Sequence, residues 1–473
     1  MPKYVLFVHG YSETSLAAYF EFPNILQAAM PEIQDVGLAA FDSLDDGITI
    51  SDLASAMEVR VASLESTRQW TMADTALICH STGALIARRW ILNRVENGGV
   101  LPSHLVTMAG ANHGSTLAAM GKTPLGYLQK LILRHEWSVG QGVLTDLEYG
   151  SKFLLELNSD WLDAWNNAKL GNMLAFSMGG DTTGAAADPT LRVFWETQER
   201  GSDNTVRISG ANLNYTIIDA KHDENGTAVT CRSPERAIPH RILPGFSHYG
   251  PTTGILGNVH ASTDLPMACV LEALRVNTND ALAYASLEAG WRIENDAWIT
   301  NNAQDANSTL LFALTDRSDS QISDCMISIM DQATMGTDPT TVDLTPANAS
   351  TIATAMNNAS KSVLPHSPMQ NDVQKGSYAF YLNFSDYVSS SPHWYSIEIS
   401  GASGMGRYDY PYPILLFTQP PSMTHTIAVN ECTYVRLTVG KNSNSAYGVY
   451  EVAAVPPPDQ QVFPPLPAPN RIA

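Results

Sequence analysis

Basic residues are scarce in this chain of 473: 27 Lys and Arg stand against 47 Asp and Glu, for a formal charge of −20. No run of Lys or Arg occurs, which argues against a nucleic-acid partner, because phosphate binding needs a concentrated basic surface. The mean field also repels an anionic membrane, although a small apolar mouth can still meet a lipid aggregate. Cysteine is scarce too. Cys79, Cys231, Cys269, Cys325 and Cys432 are widely spaced, with no CxxC pair and an odd total, so neither a metal site nor a full disulfide framework is expected. Reduced thiols are the expectation; Cys325 and Cys432 share the C-terminal region and are the pair that an oxidising compartment could join. Long apolar runs are missing as well. Nothing approaches the length of a membrane span, and the N-terminal run Val5 to Val8 is too short for a signal peptide. The expectation is a cytoplasmic protein with no integral membrane segment.

What is there is an ordinary globular composition, 44% hydrophobic, in a chain too long for one core. Tyr4 to Val8 reads as a strand, followed by the turn His9-Gly10-Tyr11-Ser12. Residues 15 to 31 read as a helix and Asp35 to Phe41 as a second strand. A helix then runs from Ile48 to Leu64 with Thr49 or Ser51 as its N-cap. Alternating strands and helices imply a parallel sheet. Ser103 to Met108, Asn172 to Met178, Tyr215 to Asp219 and His240 to Phe246 continue the strands, and Asp264 to Val276 closes this part as a helix. Between Thr116 and Leu170 the strand pattern lapses into a segment rich in Leu, Trp and Tyr. That segment is either a substrate-contacting cap or ordinary helices covering the sheet. From about 280 the apolar runs shorten and alternate between Gly, Asn, Asp, Ser and Pro, the spacing of an antiparallel β-sandwich. Residues 455–473 are proline-rich and extended.

The stretch from Asp74 to Trp90 organises the rest. Ala76 to Cys79 suits a buried strand; Leu85, Ile86, Arg89, Ile91 and Leu92 then recur at helical spacing, and Ser81 sits on the junction. A serine in a sharp strand-to-helix turn needs small neighbours two positions either side, here Cys79 and Gly83. A hydroxyl is a poor nucleophile without a base, a carboxylate to orient that base, and oxyanion donors. For the base, His248 follows a strand where a loop returns over the sheet edge, with His260 as a second candidate. His80 adjoins Ser81 in sequence and is expected to point to the opposite side of the turn. For the acid, Asp203 lies in a polar loop and Asp181 is the second candidate. Backbone N–H groups of Thr82 and Tyr11 are the candidate oxyanion donors.

Five motifs together resemble bacterial α/β-hydrolase lipases and esterases: Phe-Val-His-Gly-Tyr-Ser at 7–12, Cys-His-Ser-Thr-Gly at 79–83, Met-Ala-Gly-Ala-Asn-His-Gly-Ser-Thr-Leu-Ala at 108–118, Gly-Ser-Asp-Asn-Thr-Val-Arg at 201–207 and Gly-Phe-Ser-His at 245–248. The resemblance implies an α/β-hydrolase domain over 1–278 with a helical cap at about 114–170. It also implies Ser81 as nucleophile, His248 as base and Asp203 as acid, acting without a cofactor on a small-molecule or lipid ester. Cys79 departs from the glycine of many members but is small enough for the turn. Residues 279–454 are expected to form the β-sandwich accessory domain, and the oligomeric state is open. A non-catalytic lipid- or glycan-binding protein on the same scaffold, or an acyltransferase using the same three residues, are the alternatives.

Overall fold

The computed structural model describes residues 1–10, 19–39, 41, 45–115, 118, 140–182, 200–223, 226–303, 305–323, 325–331, 350, 353–354, 357, 369–383, 395–401 and 428–439. Its strands begin with β1 (Tyr4–Val8), β2 (Asp35–Ala39), β3 (Thr75–His80), β4 (His104–Met108), β5 (Leu174–Gly180), β6 (Tyr215–Asp223), β7 (Gly226–Arg232) and β8 (His240–Leu243). All but β6 and β7 form one sheet in the order β2-β1-β3-β4-β5-β8, parallel throughout. The physical signature is continuous burial: every residue of β3, β4 and β5 is buried, as expected for parallel strands covered on both faces.

The helices are α1 (Phe22–Ala29), α2 (Ile50–Thr67), α3 (Gly83–Glu96), α4 (Gln141–Leu147), α5 (Lys152–Asn166), α6 (Ile208–Ala211), α7 (Leu265–Arg275) and α8 (Ala281–Asn301), and α2 shows its sequence signals locally. Thr49 caps α2 in a reciprocal box with Asp52, each side chain accepting from the other's backbone N–H at 3.2 and 2.9 Å. The Leu- and Trp-rich segment is core where it is described. Leu154, Leu157, Trp161 and Trp165 on α5 join the same buried cluster as the sheet strands, while residues 119–139 lie outside the described residues. None of the described helices is long and apolar enough to cross a membrane.

Beyond residue 278 the structure departs from the expected antiparallel sandwich. The first element there is α8, a helix of 21 residues whose buried aromatics Tyr284, Trp291 and Trp298 recur every seven positions. Each also uses its polar tip: Tyr284 hydroxyl donates to Ala175 O, Trp291 Nε1 to Glu272 and Trp298 Nε1 to Asp181, all at 2.8 Å. Then come β9 (Asn307–Asp316), β10 (Cys325–Asp331), β11 (Met369–Gln370), β12 (Ser377–Asn383), β13 (Tyr395–Gly401) and β14 (Cys432–Val439). A six-stranded sheet runs β11-β12-β9-β14-β6-β7, and β10 pairs with β13 separately. The larger sheet is mixed: β14 is parallel to both β9 and β6. Two of its strands, β6 and β7, come from before residue 278, so the expected boundary in sequence does not separate one sheet from the other. Cys432 is a buried free thiol and therefore not in a disulfide with Cys325.

A buried polar network joins the two sheets. Arg88 on α3, fully buried, donates to Asn158 Oδ1 on α5 at 2.9 Å and to Asn112 O at 3.2 Å, and its guanidinium lies 4.9 Å from the Trp161 ring centroid. Asn158 Nδ2 donates to the Tyr434 hydroxyl of β14 at 2.8 Å, which lies 2.8 Å from His113 Nδ1; His113 Nε2 in turn lies 2.7 Å from Asn212 O. With Nε2–H donating to that carbonyl, Nδ1 is left to accept from the tyrosine.

Glu148, just after α4, makes a second tie by accepting from Asp372 N. Burial holds its carboxyl up at about 7, above the ordinary 4.5. Folded, this group keeps its proton until near pH 7, whereas the unfolded chain releases it near 4.5. Between those values the native state binds more protons, so its stability falls as pH rises. Glu148→Gln keeps an acceptor without the charge and should flatten that fall in pH-dependent denaturant melts, a gain at neutral pH on the order of 3 kcal/mol at most. Asp146, raised from 3.8 to about 6 by burial, adds a fall of the same sign over a lower pH window. A second prediction concerns α3. A Cβ at Gly83 would fall 2.3 Å from Val8 O and 2.5 Å from His9 O, a backbone contact that cannot yield, so Gly83→Ala should cost about 1–3 kcal/mol in the same melts.

Candidate active site

β2 lies on one side of β1 and β3-β4-β5-β8 on the other, which makes the gap between β1 and β3 a topological switch point. In open parallel sheets ligands bind outside the carboxyl ends of strands at that point. Ser81 follows β3 there, and His9-Gly10 follows β1 beside it. A Cβ on Gly10 would sit 2.9 Å from Ser81 Cβ, so the early turn abuts the serine.

Ser81 has φ of +55°, the left-handed region that a residue with a side chain rarely adopts. The chain before it is held by the sheet and the chain after it by the helix. Ser81 N donates to Met108 O at 3.2 Å, while its carbonyl accepts from Ala84 N at 3.1 Å and Ala111 N at 3.3 Å. Cys79 fills the first small-residue position completely buried, and burial pushes its thiol well above the ordinary range, which leaves it protonated and inert. Thr82 is the N-cap of α3, with its carbonyl accepting from Leu85 N and Ile86 N.

The turn presents Ser81 Oγ 2.9 Å from His248 Nε2, and His248 Nδ1 lies 2.9 Å from Asp203 Oδ2. With the carboxylate accepting, Nδ1 carries the hydrogen and the Nε2 lone pair faces the serine hydroxyl. Asp203 is 1% exposed, and its second oxygen accepts from Thr205 N at 3.0 Å and Val206 N at 2.7 Å, a local turn that points the carboxylate at the imidazole. Main chain reinforces side chain, since His248 N donates to Asp203 O at 2.9 Å.

The two second candidates are engaged elsewhere. His260 is exposed at the start of α7, where its N–H donates to Asp264. Asp181 accepts from Trp298 Nε1 at 2.8 Å and Gly245 N at 2.7 Å, which makes it an anchor for α8 and the loop before His248. Tyr11 lies outside the described residues.

His80 does not point away from the site. Its Nε2 lies 3.1 Å from His248 O, its ring centroid 4.9 Å from that of His248, and burial lowers its pKa to about 3. A neutral ring donating to that carbonyl fixes the backbone of His248. The alternation of a strand would place His80 opposite Ser81, but the left-handed residue between strand and helix breaks the alternation, so the sequence carried no signal for this contact. His9 is likewise neutral, its pKa lowered to about 4 by burial, and stacks 3.7 Å from Phe41 while Nε2 accepts from Phe41 N. It stiffens the turn after β1.

No family model and no curated sequence matches this chain. Solved structures do. Phospholipase PlaB from Legionella pneumophila superposes with a TM-score of 0.76 at 22% identity, over 93% of this chain and 94% of that one. The same phospholipase in complex with thio-NAD gives a TM-score of 0.74 at 22% identity, over 92% and 93%. A lipase from Bacillus licheniformis, BlEst2 in its mature form, matches more distantly, with a TM-score of 0.41 at 16% identity over 58% of this chain and 93% of that one. The likeness to the phospholipase establishes the fold: the chain has the α/β-hydrolase architecture, and the match extends past the parallel sheet into the second one.

Proposed function

We propose that the protein is a serine hydrolase of carboxylic esters whose substrates are lipid esters, phospholipids among them. The observation that carries this reading is the chain of contacts from Ser81 Oγ through His248 to Asp203 at a strained strand-to-helix turn. An ordinary tight turn has no need of a left-handed serine, a base at hydrogen-bond distance and an oriented carboxylate together.

In this mechanism Ser81 Oγ attacks the acyl carbonyl while His248 Nε2 takes its proton. Asp203 holds the imidazole in its tautomer and stabilises the imidazolium. The oxyanion is met by the N–H of Thr82, at the amino end of α3; the second donor expected from the sequence, the N–H of Tyr11, lies outside the described residues. Each such donor contributes about 3 kcal/mol to the transition state. His248 then gives its proton to the leaving alcohol, and water, activated by the same imidazole, releases the acid from Ser81. An exposed aromatic pair supports an apolar acyl group: Tyr249, directly after His248, and Phe20 lie 6.2 Å apart and are 41% and 37% exposed. Rings left in water beside the base make an apolar lip for a chain entering the site.

Hydrolysis of p-nitrophenyl esters of increasing chain length, and of phosphatidylcholine vesicles, tests the reading. Ser81→Ala should lower kcat by about 10⁵-fold and abolish labelling by a fluorophosphonate, and Asp203→Asn should lower kcat by about 10⁴-fold. Silence of both on every ester would leave a binding protein on a hydrolase scaffold, and equal activity of wild type and Ser81→Ala would remove Ser81 from the chemistry. His80→Ala removes a support for His248 and not a reacting group. Its kcat should fall about tenfold at unchanged KM, with fluorophosphonate labelling slowed to match; a change in KM alone would contradict the positioning role.

A further inference from the structure

The nucleophile and its two partners are held by different parts of the chain. Ser81 is fixed within the parallel sheet, by β3, α3 and the turn after β1. The loops that carry His248 and Asp203 are each tied, three residues ahead of the reacting side chain, to the end of α8 or the start of β9.

For His248 the tie runs through Asp181, directly after β5. One carboxylate oxygen accepts from Gly245 N at 2.7 Å and the other from Trp298 Nε1 at 2.8 Å. Thr182 adds a backbone bond, its N–H donating to Phe246 O at 3.0 Å. The approach is close: a Cβ on Gly180 would fall 2.2 Å from Phe246 O and 3.2 Å from Asp203 Cβ, so the end of β5 lies between the two loops without slack. Trp298 is 6% exposed and belongs to a small buried cluster with Ile208, Ile242 and Ala306. With the indole held there, its N–H sets the direction in which the Asp181 carboxylate faces.

For Asp203 the tie is Asn307, the first residue of β9 and 2% exposed, which donates from Nδ2 to Arg200 O at 2.6 Å. Gly201, next in the chain, has φ of +72° and lies against Asp305, where a Cβ would fall 2.1 Å from the Asp305 carbonyl oxygen. Asn307 is itself held by the turn before β14: its N–H donates to Asn430 Oδ1 at 3.2 Å and its carbonyl accepts from Asn430 N at 3.0 Å. The turn bearing Asp203 is closed at its base, since Ile208 N donates to Gly201 O at 2.9 Å.

An imidazole relays a proton only while both its nitrogens stay in line, and a displacement of about 1 Å at a reacting group costs on the order of 100-fold in rate. We propose that Asp181, Trp298 and Asn307 are positioning residues, which hold the loops of base and acid at the spacing that brings His248 between Asp203 and Ser81. The inference rests on the serine-hydrolase reading of the Ser81 centre. It assigns the nucleophile to the parallel sheet and the alignment of its partners to the region after residue 278. Trp291 is the internal comparison: seven residues earlier on the same helix and 3% exposed, it makes the same kind of bond, Nε1 to Glu272 at 2.8 Å. Glu272 lies on α7, which carries no residue of the site.

Trp298→Phe keeps a ring and removes the Nε1 donor; Asn307→Leu keeps the side-chain size and removes the Nδ2 donor. Each should lower kcat about tenfold at unchanged KM and slow fluorophosphonate labelling of Ser81 by the same factor. Trp291→Phe, which loses the same type of bond, should stay within about twofold of wild type. Hydrogen-exchange mass spectrometry of the full chain reads the loops without reference to activity. Deuterium uptake should rise at 243–250 in Trp298→Phe and at 200–207 in Asn307→Leu, with β3 and α3 unchanged. If one variant does not fold, the other decides the question. Unchanged activity in Trp298→Phe, an equal loss in Trp291→Phe, a change in KM alone, or exchange that rises uniformly or not at all would overturn the proposal. Inactivity of the wild type on every ester would instead sink the hydrolase reading, and the exchange arm alone would then decide whether these side chains hold the two loops.

Discussion

The left-handed backbone at Ser81 is the constraint on which the site depends. A serine at φ of +55° relaxes unless both flanks are held. Here they are held by close approach: Gly83 lies against the carbonyls of Val8 and His9, Gly10 against Ser81 Cβ, and Cys79 is sealed between β1 and β4. The strain is thus stabilised by packing of the parallel sheet, and its effect is to lift one hydroxyl out at the switch point between β1 and β3. The His80 bond to His248 O and the His9 stack on Phe41 extend the same logic to the loops around the hydroxyl. Both histidines are buried and neutral, which suits groups that hold backbone in place.

The second sheet is continuous with this arrangement. Arg88, in the second turn of the helix that begins at the strained serine, reaches through Asn158 to Tyr434 of β14. Asp181, at the end of β5, anchors both Trp298 of α8 and Gly245 in the loop leading to His248. Residues after 278 therefore bear on the loop that carries His248.

Much of the parallel sheet was legible in the sequence because its signals are local. Ala76 to Cys79 is a continuous apolar run, Gly83 onward switches to a helical period, and Thr49 with Asp52 spells a capping box within four residues. The second sheet was not legible in the same way. Alternation marks a strand but says nothing of its direction or neighbours, so the parallel pairing of β14 with β9 and β6, across long separations in sequence, could not be read from short runs. α8 could have been found from Tyr284, Trp291 and Trp298, whose spacing of seven is helical; the polar residues between them masked it.

For the candidate site, the sequence by itself determined the chemical types and their order: a serine between small residues at a change of period, then an aspartate, then a histidine. Those are covalent facts of the chain, and a nucleophile elbow is a local motif. Only the tertiary structure brings His248 and Asp203, and not His260 and Asp181, into hydrogen-bond line with Ser81, because that depends on which loop returns to Ser81 across the sheet. It likewise turned His80 from a bystander into a support for His248. Hydrogen-bond partners are set by distance in space, which the chain acquires only when the sheets have packed.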